Sequence, residues 1–173
     1  MKGKRMHPYG AIINVIGNDN PNIKSLLNEG LWGFPDDKRG INKTRWNNLE
    51  VGTLVLLYGD FFQTKGVWFL CEFIDKFENR EPVKYWIKNP LGYPWQIKLK
   101  PKLPYNFSLQ DLREISPIGR EALAFSFGIN IFKPKVSLGW SIILFGAPNV
   151  SYSYSAFERI VDEFNFRNAK IRP

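Results

Sequence analysis

Cysteine and histidine are almost missing from this 173-residue chain, in which Cys71 and His7 stand alone. A single cysteine has no partner for an internal disulfide, and one Cys with one His cannot build a Cys/His zinc site. Long apolar runs are missing too. Stretches such as Val67-Trp68-Phe69-Leu70-Cys71 fall far short of the ~18 residues a membrane span needs, so no membrane association is expected. The basic start Met1-Lys2-Gly3-Lys4-Arg5 is not followed by the apolar region and cleavage site of a secretory signal, so the expectation is an intracellular, cytoplasmic protein. Neither GxxxxGK[ST] nor GxGxxG occurs, which removes support for ATP and dinucleotides, and no cofactor is expected.

Reactive constellations are equally scarce. Asp36-Asp37-Lys38 is similar to the carboxylate-x-lysine half of a metal-dependent nuclease site. It lies between Pro35 and Gly40, however, and reads as a solvated turn. Asp60 and Glu72 sit beside an expected hairpin and read as turn chemistry. Cys71 lies in an apolar strand, where a buried inert thiol is expected. No catalytic residue and no metal ligand is assigned, and the chain is read as a binding protein, not an enzyme.

What is abundant is positive charge and aromatic surface. The chain carries 24 Lys+Arg against 16 Asp+Glu, a net charge of +8, and 6 tryptophans, so polyanions head the list of expected partners. The excess is concentrated. From Pro82 to Gln110 no acidic residue occurs, while Lys84, Lys88, Lys98, Lys100 and Lys102 interleave with Tyr85, Trp86, Tyr93 and Trp95. Basic residues interleaved with aromatic ones suit a nucleic-acid backbone and its bases.

The order of elements is read from periodicity. Tyr9 to Ile16 is a buried strand. Asn20 as N-cap, Pro21, apolar Ile23, Leu26 and Leu27, and the stop Gly30 predict a helix. Residues 33–52 are polar and turn-rich. Thr53 to Tyr58 and Gly66 to Ile74 predict a hairpin turning near Gly59-Asp60. Trp95 to Lys100 alternates as a half-exposed strand with its lysines on the solvated face. Ser108 caps a short helical turn, Ser137 to Phe145 is strand-like, and Ser155 with Glu158 forms a capping box ahead of a closing helix. Strands outnumber helices without strict alternation, predicting an α+β fold with a strongly curved mixed sheet or open barrel flanked by helices. The whole chain, 1–173, reads as one domain.

Any one tryptophan is most simply core. Trp32, just past the first helix, and Trp86, beside the Lys88-Asn89-Pro90-Leu91-Gly92 loop, differ in lying next to irregular backbone where binding sites often form. Stacking a base on an aromatic ring contributes about 1–3 kcal/mol. Asn18 and Asn22 carry donors and acceptors able to read a base edge; capping and turn formation are the equally open alternative.

Asn18, Asn22 and Trp32, spaced four and then ten apart behind a strand, together with Trp86 ahead of a glycine-containing loop and a strand, resemble YTH domains. These belong to the wider PUA-like group that includes EVE domains. The resemblance implies a cage in which Trp32 and Trp86 sandwich a flipped methylated base, with Pro90 or Leu91 as third wall and the Gly33 main chain over the base edge. It also implies an arginine on the backbone phosphate, for which Gly119-Arg120 is the match, joining Lys84, Lys88, Lys98 and Lys100. Among such domains some are RNA readers. Others are the N-terminal recognition part of McrB-type, modification-dependent restriction systems, acting on DNA with an AAA+ motor and a nuclease. The short, Lys-rich chain without low-complexity flanks is more similar to the second kind, as though cut from a longer protein. The expectation is therefore a reader of N6-methyladenine, in DNA rather than RNA. A metal-dependent nuclease using Asp36, Asp60 and Glu72, and a protein-interaction module, are the competing classes.

Overall fold

The computed structural model describes residues 9–15, 21–102, 106–136, 139–148 and 150–170. The element order is β1 (Gly10–Asn14), α1 (Ile23–Glu29), β2 (Leu31–Phe34), α2 (Ile41–Asn48), β3 (Leu54–Phe61), β4 (Thr64–Glu78), β5 (Trp95–Pro101), α3 (Leu109–Leu112), β6 (Ile118–Gly119), β7 (Ile142–Phe145) and α4 (Tyr154–Arg167). A π-helical turn over Ala122–Ser126 and a 3-10 turn over Asn130–Phe132 lie between β6 and β7.

The strands form one mixed sheet in the order β2-β5-β4-β3-β1-β7, with β6 pairing to β4 off that path. Among the described residues only β1 and β3 run parallel, Ala11 opposite Val55; the other pairings are antiparallel. The segment linking β1 to β3 carries α1, β2 and α2, the long crossover that a parallel pair requires. The 15-residue β4 changes partners along its length, pairing with β6 near Gly66 and with β5 from Cys71 onward. Its register shifts between Phe73 and Asp75, which leaves Ile74 out of the ladder; such a bulge bends a strand and tightens its twist. The sheet so curved brings β5, next to one edge, and β7, the other edge, under one helix. From α2, the Trp46 indole N–H donates to the Gln96 carbonyl of β5 at 2.9 Å, while Arg45 donates to the Ile142 carbonyl of β7.

Both faces of the sheet are packed. By register Val55, Phe69, Phe73, Ile97 and Ile142 share the inner face, while Ile12 and Phe145 lie on the other, where α4 sets Phe157 5.6 Å from the Phe145 ring and adds Ile160 and Phe164. A small second cluster, Leu31, Val83 and Trp86, sits on the outer face under the 79–94 loop.

Several elements differ from the sequence reading. The second half of β2 and all of α2 occupy a stretch read as turns. Helix α2 buries no residue, so it carries no apolar periodicity to detect; it is held instead by its ends. The Asp37 carboxylate accepts from the Ile41 and Asn42 amides at 3.0 and 2.9 Å. At the other end the Lys76 ammonium donates to the carbonyls of Trp46, Asn47 and Leu49, a favourable cation at a helix C-terminus. The hairpin turns at Phe62-Gln63, both at positive φ (52° and 65°), not at Gly59-Asp60, which continue β3 opposite Gly66 and Lys65. Helix α4 starts from Ser153, whose hydroxyl accepts from the Ala156 amide at 3.2 Å; Ser155, the expected cap, lies inside the helix. Asn20 and the end of the first strand at Ile16 fall outside the described residues. The strand read over Ser137 to Phe145 is confined to Ile142–Phe145 among the described residues, and the one read over Gly66 to Ile74 runs from Thr64 to Glu78. As read, Gly30 ends α1 in the left-handed region at φ 64°, and Ser108 caps α3 by accepting from Asp111 at 3.0 Å.

Candidate base-recognition site

Helix α1 and strand β2 meet without a linker, because Gly30 reverses the chain directly into the sheet. Leu31 therefore enters the ladder opposite Lys98, Trp32 opposite Ile97 and Gly33 opposite Gln96. The amide of Leu99 bonds the Gly30 carbonyl at 2.8 Å. In an antiparallel ladder alternate residues share hydrogen bonds, so Trp32 is bonded to β5 and the amides and carbonyls of Leu31 and Gly33 point to the opposite, open edge. The Leu31 carbonyl is met there by the Ser25 hydroxyl at 2.8 Å. Gly33 is left with its donor and acceptor facing the opening.

Alternation also separates the two tryptophans. Trp32 turns inward and belongs to the main core, 8% exposed, while Trp86 lies on the outer face, 1% exposed. They flank the β2 edge from either side, with Gly33 between them. A Cβ at Gly33 would lie 2.8 Å from the Trp86 ring and 2.7 Å from the Tyr93 Cβ, so only glycine lets the aromatic loop pack this close. Trp86 is aimed by its indole N–H, which donates to the buried Ser25 hydroxyl at 3.1 Å.

Tyr93 completes the arrangement. Its ring meets Trp86 edge-on at 5.0 Å and 79°, and its hydroxyl accepts from the Asn22 amide at 3.2 Å. Asn22 stands at the cap position of α1, yet its side chain makes no capping bond. It is turned toward the site instead.

Two connected spaces result. A slot of about 20 Å³ is lined by Asn22, Trp32, Gly33, Trp86 and Tyr93, room for about one water. It opens into a cleft of about 250 Å³ lined by Asn22, Trp32, Gly33 and Tyr93 on one side and by Asn14, Trp140 and Ser141 on the other, close to the lower end of small-molecule sites at about 300 Å³. The cleft lies where the two sheet edges face each other.

The structure thus brings together Trp32, Trp86, Asn22 and Gly33. It corrects the expected open sandwich, because Tyr93 packs edge-on against Trp86 and the slot that the three rings share holds only about 20 Å³. Asn18 lies outside the described residues. Leu91 is 56% exposed and lines neither space; Tyr93, two residues on, takes the third side. Arg120 is also corrected as a phosphate ligand, since its guanidinium donates to the carbonyls of Phe132, Lys133 and Val136 at 2.8, 2.8 and 2.9 Å and ties down the loop after the π-turn. Lys84, Lys88 and Lys100 are exposed and Lys98 half-buried, its ammonium 3.3 Å from the Glu29 carbonyl. By strand parity Lys98 and Lys100 share the outer face with Leu31 and hence with Trp86. Sequence reasoning missed Ser25, Tyr93, Asn14 and Trp140. Ser25 and Asn14 look like ordinary polar residues of a helix and a strand, Tyr93 stands only among the aromatic residues of the basic 82–110 stretch, and nothing local marks Trp140.

Of the acidic residues of the nuclease reading, Asp36 is engaged elsewhere. Asp36 accepts from Arg80 and from the Trp95 indole, both at 2.8 Å, and the Arg80 hydrogen bond holds its carboxyl below the usual range. Among the described residues no group of three or more His, Cys, Asp or Glu lies together as a metal site would require. Cys71 is fully buried, which pushes its thiol well up. No described helix is long and apolar enough to cross a membrane.

No family model and no curated protein matches this sequence. Solved structures do. The Pho92 YTH domain, solved in complex with m6A, superposes with a TM-score of 0.53 at 12% identity, covering 99% of this chain and 92% of its own. The Mmi1 YTH domain gives 0.53 at 10% identity, covering 95% and 92%. The Mmi1 YTH domain in complex with RNA gives 0.52 at 10% identity, covering 95% and 82%. The chain has the YTH fold.

Proposed function

We propose that this protein is a non-catalytic reader of a methylated base, N6-methyladenine, which it takes flipped out of a strand into the cleft at the β2 edge. The observation that carries the reading is the free Gly33 amide and carbonyl beside the Asn22 carboxamide, at the mouth of a base-sized cleft between aromatic rings. A base edge needs paired donors and acceptors, and its faces need rings. For a purine to reach the slot, Tyr93 swings off Trp86 and gives up its bond to Asn22. The indoles of Trp32 and Trp86 then enclose the methyl group.

Burying one methyl group contributes about 0.8 kcal/mol, and leaving a pocket group unpaired costs about 1–3 kcal/mol. Discrimination is therefore about tens-fold to several hundred-fold. Lys84, Lys88, Lys98 and Lys100 hold phosphates without reading sequence. The ligand we favour is DNA, with the domain serving a McrB-type AAA+ motor and nuclease; the basic, acid-free 82–110 segment supports a polyanionic ligand. RNA is the second reading, favoured by the m6A and RNA bound to the similar domains of Pho92 and Mmi1.

Fluorescence-polarisation titrations with matched DNA and RNA oligonucleotides, each with and without one N6-methyladenine, at two salt concentrations test this. Tighter binding to a methylated member supports the reader, and the sugar preference decides between the two ligands. Equal affinity for all four overturns it and leaves a merely basic surface.

A further inference from the structure

The second edge of the curved sheet carries a cavity of its own. About 230 Å³ of space is lined by Arg45, Trp140, Leu144 and Tyr152 with neighbouring residues. Trp140 borders both this cavity and the base cleft, so the two lie side by side along the seam of the half-barrel. Alternation along β7 has the same consequence as along β2. The Asn14 amide bonds the Ser141 carbonyl at 3.0 Å, so Ile142 and Leu144 turn their amides and carbonyls to the open edge. Arg45 meets the Ile142 carbonyl with one nitrogen.

The rest of that guanidinium is unusual. Arg45 makes no ion pair among the described residues, and Asp37, the carboxylate that acts on it, sits at the opposite end of α2 capping Ile41 and Asn42. A half-buried guanidinium without a carboxylate is a ready phosphate ligand, since its planar fork matches two phosphate oxygens. Beside it, the Trp140 indole N–H is buried with no hydrogen-bond partner among the described residues, and Tyr152 offers a second, half-buried ring.

We infer that the Arg45–Trp140–Tyr152 cavity is a second nucleotide subsite, taking the phosphodiester and base adjacent to the flipped one. This rests on the base-reader reading. The phosphate would sit on Arg45, and the neighbouring base would lie against Trp140 and Tyr152. Nucleotides joined by one phosphate would then occupy both edges of the sheet, with Trp140 between them.

Calorimetric titration of the full chain with N6-methyladenosine, and with dinucleotides carrying N6-methyladenosine on the 5′ or the 3′ side, tests the subsite. One dinucleotide should bind about tenfold or more tightly than the nucleoside, the scale of one charge-assisted hydrogen-bond pair. Arg45→Gln should remove that gain and leave nucleoside affinity unchanged. Arg45→Lys keeps a donor for Ile142, and Tyr152→Ser alters a partly exposed side chain; each should keep the fold, checked by melting temperature, and reduce the gain. If the nucleoside binds but neither dinucleotide gains, or the gain survives in Arg45→Gln and Tyr152→Ser, the subsite is overturned and the base cleft stands. If neither nucleoside nor methylated oligonucleotide binds, the base reading and the subsite fall together.

Discussion

Replacing Gly33 by alanine adds one carbon at the centre of the site and nothing else. The Gly33 backbone is not at positive φ, so the new side chain brings no conformational strain, and its whole effect is steric. The added Cβ would lie 2.7 Å from the Tyr93 Cβ, 2.8 Å from the Trp86 ring and 2.9 Å from the Tyr93 carbonyl oxygen. All three are closer than the optimal carbon separation of about 3.5–4.0 Å allows. Two of the three belong to the backbone or Cβ of Tyr93, which a rotamer change cannot move, so the 79–94 loop itself must lift. Overpacking of this kind costs about 1–3 kcal/mol, a fall in melting temperature of about 2–12 °C for a chain of this size. Lifting the loop also draws Trp86 away from the β2 edge. Preference for the methylated over the unmethylated oligonucleotide should therefore collapse, while the salt-dependent background binding persists. Thermal melting and polarisation titration on the same preparation check both. A Gly33→Ala protein that melts as the parent does and keeps its methyl preference would refute the proposed packing of Trp86 and Tyr93 over this strand.

Ser25→Ala should act on Trp86 without touching the cleft: it strips the buried indole N–H of its acceptor, costing about 1–3 kcal/mol, and should lower both melting temperature and methyl preference, which a purely structural role would not couple. Alanine at Lys84, Lys88 and Lys100 should weaken binding to every oligonucleotide and flatten the salt dependence by about one unit of slope for each phosphate no longer neutralised. Arg120→Ala should instead leave the slope unchanged and lower stability, because its donors hold loop carbonyls. Burial pushes the Tyr58 hydroxyl up to about 12. The neutral phenol is thus the form the fold favours, and its stabilisation is complete below the ordinary tyrosine value of about 10 and lost as pH rises through the folded value. An ultraviolet titration should show this tyrosine ionising late; ionisation with the exposed tyrosines would contradict its burial.

Amino-acid order alone determined the elements whose signals are local. The first strand, the stop at Gly30, the alternation from Trp95 to Lys100, the cap at Ser108 and the amphipathic final helix each carry their cause within a few residues. So does the charge pattern, and so does the spacing that set Asn22, Trp32 and Trp86 apart. Tertiary structure decided what depends on distant partners. Helix α2 has no apolar face, and it exists because Asp37, Lys76, Gln96 and the Ile142 carbonyl receive its ends and side chains. That Trp32 and Trp86 flank one edge from opposite faces follows from the parity of a four-residue strand, which is known only once its register with β5 is set. Tyr93 displaced Leu91 because a loop's path over a glycine is settled by packing, and Arg120 was withdrawn from the ligand by carbonyls that fold back upon it. The meeting of β2 and β7 across the cleft is a property of sheet curvature, which arises from bulges and paired strands together and is written in no single segment.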